Sequence, residues 1–186
     1  MEYPMRLGGN MVLAVVMLAG LCGAASLHAM AHASGVDDTV SDAEMLSSAI
    51  AACKSDNFDG FFELFTQNDA VRKAHLAPQI EVRALQQPGK LMRSIIGRDY
   101  RDYRIAMQDY QYVDAAAPAG QDSRQQMQIK PRLLSGKTWQ VDYIKVEYDG
   151  KGEGDDPGAL VRTIGKPGAY IFEFSNGCWQ LTRDLR

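Results

Sequence analysis

The chain has 186 residues, 20 Lys+Arg against 23 Asp+Glu, and a formal charge of −3. Hydrophobic residues make up 46% and charged residues 23%, the balance of an ordinary globular protein. That composition excludes a disordered tail, a collagen-like chain, a disulfide-dense miniprotein and a binder of nucleic acid driven by bulk positive charge.

The first 33 residues read as a signal peptide. Arg6 supplies the positive start, Met11–Leu21 the apolar run, and Ala31-His32-Ala33 an A-x-A cleavage pattern. The apolar stretch contains Gly20, Gly23 and Ser26 and is short for a spanning helix. Lipid attachment at Cys22 is the rival, and Leu21 in place of a small residue weighs against it. The expectation is a periplasmic or secreted protein, cleaved near Ala33, with no stable membrane insertion afterwards. Residues 34–40 read as a flexible leader and 41–186 as one domain of size enough to bury a core.

The remaining chain has two cysteines, Cys53 and Cys178, and a single histidine, His75. In an oxidising compartment two cysteines point to a disulfide. No metal-ligand spacing occurs, so neither a metal nor a cofactor is expected.

Ser41-x-x-Glu44 is a capping box, and Met45, Leu46, Ala49, Ile50 and Cys53 follow at helical spacing, giving a helix over 41–54. Phe58, Phe61, Phe62 and Phe65 set the buried stripe of a second helix over about 57–66. A helical turn or two follows in 69–76. After Pro78, alternation of Ile80, Val82 and Ala84 predicts a strand over 79–86. The stretch 90–103 fits a helical turn and an irregular strand equally. Ile105, Met107 and Val113 predict one strand over 104–113, and Pro118 and Gly120 a loop over 115–123. Further strands are predicted over 124–134 and 138–148. Tyr170, Phe172 and Phe174 lead into Asn176-Gly177 and then Trp179 and Leu181, a strong hairpin signal. Helices followed by antiparallel strands make the fold class α+β, with N-terminal helices packed against a strongly curved, mainly antiparallel sheet.

Residues 149–168 read as a 20-residue loop with six glycines and two prolines. A calcium reading of Asp149–Asp156 fails on the EF-hand pattern, since its third position is Lys151 and its twelfth is Leu160. A solvated hairpin tip is expected instead.

The Phe58-x-x-Phe61-Phe62-x-x-Phe65 stripe, Val71-Arg72, and the terminal Asn176-Gly177-x-Trp179-x-Leu181 resemble the nuclear-transport-factor-2-like superfamily, in particular small exported bacterial members. The resemblance covers roughly 41–186 and implies a cone-shaped fold. Its motifs are core and turn residues, so they imply no chemistry. Enzymes of that superfamily use an ionisable group inside the cone, and here the candidate is Asp109, on a predicted face with Ile105, Met107 and Val113. Burial there would raise its pKa toward that of a general base. Tyr103, Tyr110, Tyr112 and Tyr143 would serve as oxyanion donors. His75 reads as a surface or capping residue. No nucleophile motif or P-loop is present.

Charge is segregated along the chain. Residues 83–104 carry six basic and two acidic side chains, and residues 142–156 the reverse. Arg98, Tyr100, Arg101, Tyr103 and Arg104 form a repeating Arg/Tyr pattern suited to a partner-binding surface, against the alternative of self-paired charges on a solvated turn. The leading expectation is an exported, non-catalytic binding or inhibitory domain, such as an immunity-type protein that recognises a protein partner. The alternative is a small-molecule-binding or isomerase/lyase-like enzyme using Asp109, Tyr110 and Tyr143 in the cone. Nucleic acid is not expected.

Overall fold

The computed structural model describes residues 40–117, 125–154 and 156–186. The predicted signal peptide over 1–33, residues 34–39 of the predicted leader, residues 118–124 and Asp155 lie outside the described residues.

Three helices open the domain: α1 (Asp42–Lys54), α2 (Phe58–Gln67) and α3 (Asp69–Ala74). The capping box of α1 is complete, with the Glu44 N–H donating to Ser41 Oγ and the Ser41 N–H to the Glu44 carboxylate. Asn57 and Asn68 cap α2 and α3 by accepting from the Gly60 and Val71 N–H groups. The buried face of α1 is narrower than its sequence suggests: Ala49 and Cys53 are buried, while Ile50 is exposed.

The strands are β1 (Leu76–Ala84), β2 (Gln87–Ile96), β3 (Ile105–Gln108), β4 (Gln111–Asp114), β5 (Gln125–Ser135), β6 (Thr138–Tyr148), β7 (Leu160–Ser175) and β8 (Cys178–Leu185). Six form one sheet in the order β2-β1-β8-β7-β6-β5, and β3-β4 stand apart as a hairpin. Every pairing is antiparallel except β1 with β8. The fold is α+β, with the helices packed on a curved, mostly antiparallel sheet. Among the described residues no helix is long and apolar enough to cross a membrane.

Phe58, Phe61, Phe62 and Phe65 are all buried from α2, against Phe172 of β7 and Trp179 of β8. Phe58 stacks on Trp139 at 4.5 Å and meets Trp179 edge-on at 5.3 Å. Fully burying each such ring contributes about 1.5–3 kcal/mol. Cys53 and Cys178 form the disulfide, with Cα atoms 5.0 Å apart. Both Cys178 and Trp179 are buried although they are neighbours on a strand, because Cys178 reaches α1 while Trp179 packs on α2.

Three sequence expectations are corrected and one left open is resolved. The strand predicted from 79 begins at Leu76, and Pro78, which has no N–H to donate, falls where the β1–β8 pairing is irregular. The ambiguous stretch 90–103 resolves into β2 and a 3-10 turn, Gly97–Asp99. Gly97 passes so close to β1 that a Cβ there would lie 2.0 Å from the Ala77 carbonyl oxygen. The single strand predicted over 104–113 is a hairpin, folded at Asp109 and Tyr110, whose φ values are 48° and 62°. The loop predicted over 149–168 is half that length, because β7 starts at Leu160. Its order comes from Asp149, whose carboxylate accepts from the Lys151 and Ala159 N–H groups at 3.0 Å each.

Candidate functional site

The helix end of the interior is packed with phenylalanine, and the opposite end is polar. Alternation along β6 points Val141, Tyr143 and Lys145 to one face of the strand. Tyr143 pairs with Gly168 of β7, and a Cβ at Gly168 would lie 2.3 Å from Tyr143 Oη. Glycine there lets the tyrosine lie across β7. Tyr170 is directly opposite Asp184 of β8, and both are fully buried.

Three rings run side by side at this end, with Tyr170 4.7 Å from Tyr103 and 4.9 Å from Tyr143. Tyr100 donates its hydroxyl to Asp184 Oδ2 at 2.7 Å, and Arg186 Nε donates to the same oxygen at 2.9 Å. Burial, and for Tyr100 the neighbouring Asp184, holds the hydroxyl pKa values of Tyr100, Tyr103, Tyr143 and Tyr170 above the ordinary value. All four remain protonated near neutral pH. The Tyr170 hydroxyl accepts from the Arg104 N–H at 2.9 Å.

In front of these rings is a pocket of about 430 Å³ lined by Arg104, Asp114, Met127, Tyr143, Lys145, Ile164, Gly165, Lys166, Pro167 and Arg186. Four lining residues are cationic and one is a carboxylate. Arg104 grips Asp114 through Nε at 3.2 Å and a terminal nitrogen at 2.8 Å, and the Ala116 N–H adds a third bond at 3.1 Å. Burial pushes the Asp114 carboxyl up, but Arg104 and the Ala116 N–H outweigh it and hold the pKa below the usual value. Asp114 is thus an ionised structural partner and a poor general base. Asp184 is likewise occupied, on one oxygen, by Tyr100 and Arg186. The arrangement can attract and orient an anion. Among the described residues no three His, Cys, Asp or Glu side chains come together to hold a metal ion.

The expected site residues scatter. Asp109 is exposed at the β3–β4 turn, so it shares no buried face, and Tyr110 beside it is 96% exposed. The positive-φ turn reverses the chain there and carries both side chains out of the cone. Only Tyr143 of that candidate trio lies inside. Tyr112 is half-buried against Phe62, and burial lifts its pKa to about 12.

The five Arg/Tyr residues do not all share one surface: Tyr100, Arg101 and Tyr103 line one pocket beside Asp69, Arg72 and Lys73, and Arg98 and Arg104 lie outside it. Tyr100 and Tyr103 are buried, Arg98 is exposed in the 3-10 turn, and Arg101 folds back to donate to the Arg98 and Tyr100 carbonyls. Arg104 alone of the five lines the pocket in front of the tyrosine rings. Asp102 pairs with Arg93 and Arg186. His75 is the C-cap residue of α3 but is buried, with Nδ1 3.2 Å from the Trp179 carbonyl, and burial lowers its pKa.

Lys145, Lys166 and Arg186 escaped the sequence reading because they stand on β6, on β7 and just past β8, which only the topology brings together. One signal was available: Lys145 continues the inward alternation Val141-x-Tyr143-x-Lys145.

No family model matches the chain, and no curated protein matches it. Among solved structures, a protein designated Rd1NTF2_05 is similar at 9% identity over 77% of this chain and 93% of its own, with a TM-score of 0.28. An uncharacterized cystatin fold protein from Novosphingobium aromaticivorans is 12% identical over 79% of this chain and 99% of its own, TM-score 0.27. A putative polyketide cyclase from Xanthomonas campestris pv. campestris is 16% identical over 77% of this chain and 87% of its own, TM-score 0.26. Likenesses this distant say nothing about chemistry. Helices first, then a bent sheet closing on an Asn-Gly hairpin, is the cone-shaped α+β architecture that the chain's own motifs imply.

Proposed function

We propose that this chain is a non-catalytic binding domain that acts outside the cytoplasm, after removal of residues 1–33, and recognises a protein partner through the basic open end of its cone. One observation carries the reading: the carboxylate that lines the pocket, Asp114, is engaged by Arg104 and the Ala116 N–H, while Asp184, bound through Oδ2 by Tyr100 and Arg186 and with Oδ1 unpartnered, is fully buried and does not line the pocket. A general base must be free to take a proton near neutral pH. Asp114, whose pKa is lowered, is not poised for that. The Cys53–Cys178 bridge suits an oxidising compartment. An immunity-type role, in which a delivered protein is bound and blocked, fits the same surface.

The pocket's size favours one rival, a small-molecule enzyme, since about 430 Å³ is within the range of ligand sites. The test is conversion. The mature protein is incubated with a small-molecule extract of its own cells, and the mixture is profiled by mass spectrometry. The binding reading expects no compound to be consumed. A compound consumed by the wild type and spared by a folded Asp114→Asn variant would overturn it.

A further inference from the structure

The last pair between β7 and β8 is Ala169 with Leu185. Upstream of that pair, residues 160–168 of β7 continue alone on that side, while their other side stays paired to β6 from Leu160 to Ile164. Among the described residues no strand covers the free side. Leu160 and Val161 are exposed there. An unpaired edge presents a row of N–H and C=O groups, a template for one more strand.

The edge divides into two parts. Gly165, at φ 75°, with Lys166 and Pro167, breaks the register, and a bulge carrying lysine and proline is how natural sheets blunt an edge. Pairing is therefore confined to Leu160–Ile164. The bulge itself forms one wall of the basic pocket, where Arg104 is paired with Asp114 and Arg186 with Asp102 and Asp184, and Lys145 and Lys166 add further positive charge. The far end of the edge adjoins the 149–156 tip, which carries Asp149, Glu153 and Asp156. A carboxylate is attracted at the bulge and repelled at the tip.

We infer that the free edge of β7 at Leu160–Ile164 accepts an extended segment of a partner protein as an added strand, with an acidic side chain at the segment's bulge-proximal end seated in the adjoining basic pocket. Main-chain pairing supplies sequence-independent affinity, and the pocket selects the acidic end. This rests on the binding reading above and gives it a mode. The two fail separately, since a consumed metabolite removes that reading, whereas an indifferent peptide removes only the added strand.

The probes are fluorescein-labelled peptides of alternating valine and threonine with two glutamates at one end. Their controls end in two lysines, or keep the glutamates and are N-methylated throughout. Anisotropy titrations of the mature protein should give at least tenfold tighter binding for the glutamate peptide than for either control. Lys145→Glu/Lys166→Glu should remove that preference, and hydrogen exchange should show new protection at 160–164. Equal binding of the lysine or the N-methylated peptide overturns the inference. So does protection on the β2 or β5 edge in place of β7.

Discussion

Tyr100 and Asp184 meet in the interior, hydroxyl to carboxylate at 2.7 Å, from positions 84 residues apart. That bond ties the segment after the 3-10 turn to the last strand, so a residue that reads as a surface anchor is part of the core. Tyr100→Phe should cost about 1–3 kcal/mol, the usual effect of withdrawing one partner from a buried polar group. Arg101→Ala, an exposed neighbour, should stay within about 0.5 kcal/mol of wild type. Urea unfolding of the two variants checks the contrast, and a neutral Tyr100→Phe would place this ring outside the core.

The disulfide closes a separation of 125 residues. On the chain-entropy account it contributes about 4–5 kcal/mol, an upper figure. Unfolding with and without reductant should show a large drop in midpoint on reduction. Cys53→Ala/Cys178→Ala should reproduce the reduced midpoint and respond to reductant no further.

His75 gives a pH signature. Its folded pKa lies below the ordinary histidine value of 6.5 because burial disfavours the charged ring. The unfolded chain therefore binds the proton more readily, and stability present above about pH 6.5 is lost as pH falls through the folded pKa. Asp114, also depressed, acts in a separate window below 3.8. Melting temperature followed from pH 7.5 to 4.5 should fall in the wild type. His75→Gln should show a flatter profile, and an unchanged slope would contradict the assignment.

The β3–β4 turn holds Asp109 and Tyr110 at positive φ without a glycine. Such backbone costs L-residues roughly 1–2 kcal/mol each, partly offset by glycine's greater unfolded entropy. Tyr110→Gly should therefore stabilise by about 0.5–1 kcal/mol, read from urea midpoints. Asp109→Asn should leave stability and binding alone.

Much of the fold was legible because its signals are local. Ser41 with Glu44, the Phe58–Phe65 stripe and Asn176-Gly177 each name a structure within a few residues. Asp109-Tyr110 hid a hairpin because its turn lacks the glycine that announces one. The β7 strand hid behind Gly165, Lys166 and Pro167, which read as loop but are a bulge on an edge. Tyr100 and Tyr103 read as surface because the Gly97–Asp99 turn breaks the alternation that would have aimed them inward. The pocket was illegible for a different reason: Arg104, Lys145, Lys166 and Arg186 share no periodicity; the β6–β7–β8 pairing gathers the last three, and bonds to Tyr170 and Asp114 hold Arg104 beside them.

The most direct test of the basic open end as a recognition site is quantitative capture from the native cell envelope with three baits. These are the mature wild-type chain, Lys145→Arg/Lys166→Arg and Lys145→Glu/Lys166→Glu. Charge-based recognition predicts one protein held by the first two baits and reduced at least tenfold on the third. Equal recovery on all three baits, with the Glu variant folded, would contradict the account.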